Sequence, residues 1–142
     1  MRIEESLDLP VDPGTLWPWI STPERLSGWI GEVDRFELRP PGEIAAGSRM
    51  IAHLRRGAPL EATVERAERH RTLTLRARGL PNDLEVVLGF EVREHAGGSR
   101  LTISAETELQ GLMIFAEKMI ASKAKEKLAS WTHSLRALVA AT

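Results

Sequence analysis

The sequence predicts an α+β protein: a curved antiparallel sheet of six to seven strands wrapped around one long C-terminal helix, with two short helices after the first strand. Three observations carry this. Seven segments alternate apolar and polar residues with period two and are joined by turn chemistry. Residues 112–140 contain neither proline nor glycine, and their apolar residues recur three and four apart. Between the first strand and the rest lies LPVDPGTLWPWISTPERLSGWI, residues 9–30, which holds three of the four tryptophans and four of the eight prolines.

The elements follow in order. IEESLDL, residues 3–9, keeps Ile3, Leu7 and Leu9 in one phase, with Glu5 among them. Asp12 before Pro13, and Thr22 before Pro23, each read as an N-cap followed by proline at the first helical position, predicting helices over 12–20 and 22–30. Pro18 falls inside the first of these. There it lacks a donor and its ring clashes with the carbonyl four residues back, so that helix is expected to be kinked or very short. Strands then follow in RFEL, SRMIAHLRR, LEATVERAE, TLTLRARG, DLEVVLGFEV and LTISAETEL, the last two joined by the Gly-Gly turn of EHAGGSR. The final helix is expected over about 111–140, with Leu112, Phe115, Met119, Leu128, Trp131 and Leu135 on one stripe. The sheet must bury its dry face, and that helix is the only long amphipathic element available to cover it.

Composition narrows the function. The 142 residues are expected to form one domain, 1–142, large enough to bury roughly 68–70% of its unfolded surface. A net charge of −1 gives no field that would attract nucleic acid. The absence of cysteine removes disulfide and thiolate chemistry. MRIEESLDLP shows no secretory h-region and no apolar run reaches the length of a membrane span, so a cytoplasmic protein with no stable membrane insertion is expected. All four lysines (Lys118, Lys123, Lys125 and Lys127) lie in the last helix, where they read as a solvated outer face. Arg76 and Arg78 alternate with Leu75 and Ala77 and are expected to meet Glu61, Glu65, Glu85 or Glu91 across strands.

No catalytic constellation stands out. The four histidines are scattered, with no metal-ligand spacing on a common face, so neither a metal nor a cofactor is expected. There is no Gly-rich phosphate loop after a strand, no G-x-S-x-G, and no tyrosine. Two polar residues fall in the dry phase of strands: Glu5 and Thr107. A carboxylate in an apolar cavity has a raised pKa and can move protons, which makes Glu5 the one weak catalytic candidate. The simpler reading leaves Glu5 wet or ion-paired at a strand end, and Thr107 as a strand-forming residue satisfied by water or the helix.

The order of elements resembles the helix-grip fold of the START/birch-pollen-allergen superfamily, SRPBCC. Leu9, Pro10, Leu16, Trp17, Thr22, Pro23, Glu24, Leu26 and Trp29 match its N-terminal pattern, and GSRMIAHLRR, LEATVERAE and the long last helix extend the likeness along the whole chain. The branch it most resembles is that of bacterial polyketide cyclase/dehydrase and lipid-transport proteins. The resemblance implies a small apolar ligand between sheet and helix: a lipid, polyketide or aromatic metabolite. The inward phases make Phe36, Met50, Leu54, Leu75, Val86, Leu88, Phe90, Thr107, Met113 and Met119 the expected lining, with Trp19 and Trp29 at the mouth. Methionines suit a pocket that adapts to its guest. An enzyme of the cyclase/dehydrase type using Glu5, and a protein-interaction module using the last helix or the Trp-rich end, are the alternatives. If the lining residues fill a solid core, there is no pocket.

Overall fold

The computed structural model describes residues 1–142. It runs β1 (Arg2–Leu9), α1 (Pro13–Leu16), α2 (Pro18–Ser21), α3 (Pro23–Leu26), β2 (Val33–Arg39), β3 (Arg49–Leu54), β4 (Leu60–Glu68), β5 (Thr72–Arg78), β6 (Val86–His95), β7 (Gly98–Glu106) and α4 (Glu117–Ala140). Single 3₁₀ segments occupy Pro81–Asp83 and Gly111–Ala116. The seven strands form one antiparallel sheet in the order β1-β7-β6-β5-β4-β3-β2. β2 to β7 is a meander. β1 instead joins the far edge beside β7, in register from Arg2↔Glu106 to Leu9↔Ser99. Residues 10–32 therefore carry the chain from one edge of the sheet to the other, and the three helices lie on that path.

Three one-turn helices stand where two were expected. Prolines at 13, 18 and 23 each begin a helix, and each helix ends within four residues. Pro18 thus does more than kink the first helix. It closes α1 and opens α2, with Trp17 as the shared residue between them. Leu16, Trp17, Ile20, Leu26 and Trp29 are all buried, so this end of the sheet is plugged by side chains.

Inner-face side chains meet in rows across the strands. Ala67, Leu73, Phe90, Ile103 and Glu5 form one row; Val64, Leu75, Leu88, Ala105 and Ile3 form the next. Two register shifts keep the inner faces of β4 and β2 apolar. Between Val64 and Arg66 the extra residue changes the phase, so Ala67 rather than Arg66 follows Val64 inward. A shift between Val33 and Arg35 likewise puts Val33 and Phe36 on the inner side, although they are three apart. On the outer face Arg76 Nε lies 3.1 Å from Glu65, Arg78 Nε 3.5 Å from Glu85, and Arg49 Nε donates to Glu61 at 2.8 Å. The Arg76 and Arg78 pairs are expected from the sequence and the Arg49–Glu61 pair adds to them; as surface ion pairs they are individually weak.

The β6–β7 turn is a two-residue loop, Ala96–Gly97, between the paired His95 and Gly98. Both loop residues have positive φ, 49° and 80°, the backbone that right-twisted hairpins favour. Gly98 has a separate task. A Cβ there would lie 2.1 Å from the Leu9 carbonyl oxygen, so β1 can close onto β7 only over a bare backbone.

α4 makes its main backbone approach to β1. Its buried residues, Leu128, Thr132, Leu135 and Val139, all lie from its middle onward. Trp131 Nε1 donates to Glu32 at 2.7 Å and ties the middle of the helix to the loop before β2. The helix begins later than the sequence predicts, because Gly111–Ala116 is 3₁₀. The expected inward stripe also fails there: Leu112 is 84% exposed, Phe115 88% and Met119 58%. Met119 precedes Leu128 by nine residues, about two and a half turns, and so lies on the opposite side of the helix from the buried stripe.

Candidate functional site

The inner face of the sheet is covered unevenly. At one end, α1–α3 and the C-terminal half of α4 bury Leu73, Phe90, Leu101 and Ile103 completely. Trp29 meets Phe90 edge to face, with ring centroids 5.9 Å apart at 89°. Toward the start of β6 and the end of β7, the inner-face residues Ala77, Val86, Leu88 and Ala105 are only half-buried, as are Phe36, Leu54 and Leu60 on the side of β2–β4. The facing stretch of α4 carries small residues, Ala121 and Ala124, both half-buried. The boundary is sharp: Leu88 and Phe90 are two residues apart on one strand and one face, yet only Phe90 is sealed.

The expected lining residues therefore divide into groups. Phe36, Leu54, Val86 and Leu88 lie on the half-open part of the inner face. Met50, Leu75, Phe90 and Trp29 are no more than 3% exposed within the packed core. Trp19 is not inside. Its ring is half-buried beneath the exposed Arg25 guanidinium, 5.0 Å from the ring centroid, and its carbonyl accepts the Trp29 indole N–H at 2.9 Å. The tryptophans of residues 9–30 thus serve packing: Trp17 and Trp29 fill the plugged end and Trp19 covers it. Thr107 is buried, but its hydroxyl donates to the Glu85 carbonyl at 2.6 Å, and its own carbonyl accepts from the N-terminal ammonium at 2.7 Å. It secures the end of β7 and has no free hydroxyl proton for a guest. Met119 lies outside, as described, and Met113 is half-buried beneath a different surface.

That surface is a recess of about 1060 Å³. Its floor is the row Arg76, Val87 and Glu106, which is the outer face of the sheet. The segments around Asp83–Glu85 and Glu108–Met113 wall it. Sequence reading missed it, because it forms where two irregular segments leave the sheet together. Four acids line it against one arginine, and Glu85 Oε2 is sealed there without a hydrogen bond, 3.5 Å from Arg78.

Glu5 keeps its inward phase, opposite Ile103 and between the buried Ile3 and Leu7, and is half-buried. No ion pair or hydrogen bond engages its carboxylate. Several titratable groups on the outer face are paired. Arg100 holds the Asp8 carboxyl below its ordinary range, with His95 and Arg136 adding to the effect. Arg39, and then His53, do the same for Glu37, whose Oε1 lies 3.2 Å from His53 Nε2. The Thr15 hydroxyl, donating to Asp12, lowers that carboxyl too. No group of three His, Asp or Glu side chains is placed to hold a metal ion, and no helix is long and apolar enough to cross a membrane.

Comparison with known proteins places this geometry. Protein MLL2253 from Mesorhizobium loti superposes with a TM-score of 0.82 at 17% identity, covering 100% of this chain and 98% of that one. Ara h 8.0201 superposes at 0.74 with 15% identity, covering 100% and 99%. DynU16, from the dynemicin biosynthetic locus, superposes at 0.75 with 15% identity over 95% of this chain and 45% of its own. At such identities these likenesses establish the fold alone. No curated protein matches the sequence significantly. The sequence does match the family described as polyketide cyclase / dehydrase and lipid transport, over residues 1–140. With its seven-stranded sheet gripping α4, the chain belongs to that polyketide cyclase/dehydrase and lipid-transport family, within the SRPBCC superfamily.

Proposed function

We propose that the protein binds a small apolar ligand, a lipid, polyketide or aromatic metabolite, between the inner face of the sheet and the N-terminal half of α4. One observation carries the reading: Phe36, Leu54, Val86 and Leu88 point inward but stay half-buried, beside a core that is otherwise sealed. Apolar surface left open on a concave face is where an apolar guest gains most from leaving water. Ala121 and Ala124, partly buried against the core, are the short side chains that this part of α4 brings to it. The family description, which joins polyketide chemistry with lipid transport, supports the same ligand class.

The test is native mass spectrometry of protein purified from its own host, followed by binding measurements on Leu88→Trp. An indole at position 88 fills the open part of the inner face and should abolish ligand binding in a folded protein. Binding that survives a well-folded Leu88→Trp places the ligand elsewhere. A clean unliganded mass, with no change in melting temperature across a lipid and polyketide panel, counts against the whole reading.

A second reading, a cyclase/dehydrase-type enzyme, is favoured by one specific observation: Glu5 faces inward, half-buried and unpaired. A carboxylate so placed can take a proton from a bound polyketide and return it elsewhere on the chain. Glu5→Gln separates the readings. A carrier keeps its affinity, whereas an enzyme keeps its affinity and loses its turnover.

A further inference from the structure

The surface formed by the 3₁₀ segment and the first turns of α4 has no partner within the protein. Leu112, Ile114, Phe115 and Met119 are 84%, 59%, 88% and 58% exposed, and they are the large apolar side chains that the fold leaves out. Gly111, with φ +59°, opens the 3₁₀ segment that carries the first three of them. All four lysines of the protein follow within the next turns of the helix. Of these only Lys127 meets an acid, Glu32 at 3.9 Å. Lys118, Lys123 and Lys125 form no ion pair, whereas the strand arginines are largely matched to glutamates across the outer face. Lys118 stands three residues beyond Phe115, and Lys123 stands four beyond Met119 on the same side of the helix.

We propose that this surface docks reversibly on an anionic lipid bilayer. Leu112, Ile114 and Phe115 enter the boundary between headgroups and acyl chains, while Lys118, Lys123 and Lys125 reach lipid phosphates. An apolar wedge flanked by unpaired lysines has the two components of interfacial binding, and long lysine side chains hold their charge at headgroup level while their stems lie along the apolar surface. Segment 117–127 carries four lysines and two glutamates, a local charge of +2 in a protein whose net charge is −1; on the sheet side Leu112 and Met113 border the acid-lined recess, so it is the lysines of the helix side that supply the charge complementary to an anionic surface. A protein partner fits less well. Interface cores are depleted in lysine, and a stable interface needs about 20–30 residues on each side, far more than this tip offers. The proposal rests on the surface alone and does not need a ligand inside the sheet.

The experiment is co-sedimentation of the full chain with vesicles of phosphatidylcholine and phosphatidylglycerol in equal parts, against vesicles of phosphatidylcholine alone, at low and high salt. Binding is expected on the anionic vesicles and should fall with salt. Leu112→Ser combined with Phe115→Ser should abolish it without moving the melting temperature, because neither side chain is packed. Replacing Lys118, Lys123 and Lys125 with glutamine should weaken it by roughly fivefold per lysine. Leu88→Trp should bind vesicles as the parent does, so a failure of the ligand reading leaves this result untouched. The proposal is overturned if the parent stays in the supernatant, if either tip variant binds as well as the parent, or if neutral vesicles bind equally. It is also overturned if sedimentation velocity shows a dimer that the Leu112/Phe115 variant dissolves, since a second copy would then be what covers the tip.

Discussion

Phe90 and Leu88 offer an internal control, being neighbours on the inner face of β6 with different surroundings. Phe90 is 0% exposed and its ring is gripped by Trp29 at 5.9 Å. Truncating it to alanine removes a whole aromatic ring from a sealed region that the plugging helices cannot easily refill. Phe→Ala in such sites costs about 3–5 kcal/mol, a large share of the ~5–15 kcal/mol that holds a domain folded. Leu88 is only half-buried, so Leu88→Ala gives up about half of a leucine's burial energy and opens no enclosed void, for a loss of about 1 kcal/mol. With a urea slope of about 2 kcal/mol per molar, the midpoint should fall by roughly 2 M for Phe90→Ala and roughly 0.5 M for Leu88→Ala. Urea unfolding followed by tryptophan fluorescence and circular dichroism reads both. Equal losses would falsify the uneven cover of the sheet, and with it the argument that the inner face is open near Leu88.

Other consequences follow from the same contacts. Gly98→Ala forces a methyl against the Leu9 carbonyl, so it should destabilise by about 2 kcal/mol or more and separate β1 from β7; unchanged amide-exchange protection of both strands would contradict this. Trp131→Phe keeps the packing of α4 but drops the hydrogen bond to Glu32, and should lower stability by about 1 kcal/mol in chemical denaturation. Asp8, Glu37 and Asp12 have folded pKa values below their unfolded ones, so the stability they add is complete above the ordinary carboxylate range and is lost as pH falls through it. Melting temperature should stay level from neutral pH to about pH 5 and drop below about pH 4, with a smaller drop in Asp8→Asn; a fall that begins near neutrality would point to other groups.

Much of this architecture follows from local pattern. The alternation in β5, β6 and β7 is nearly unbroken, so their inner faces can be read from period two alone, and the cross-strand arginine–glutamate pairs come with it. The prolines at 13, 18 and 23 set helix starts by removing donors that a first helical turn does not use, although their spacing of five, which allows only single turns, tells more than the caps do. Local pattern is less informative where two elements decide together. The register shifts at Val64/Arg66 and Val33/Arg35 change which residues face in, and only pairing with the neighbouring strand reveals them. Gaps of three and four link Leu112, Phe115 and Met119 to Leu128 and Leu135 step by step, yet over the whole length a period of 3.6 carries the first three to the opposite side of the helix, where they are exposed. The family and the inward phase of Phe36, Leu54, Val86 and Leu88 were thus determined by the sequence itself, because each strand carries its own alternation. The seating of α4 was decided only by tertiary structure: its C-terminal half finds β1 and is buried, and its beginning finds nothing, which leaves the inner face part-open and an apolar tip in water.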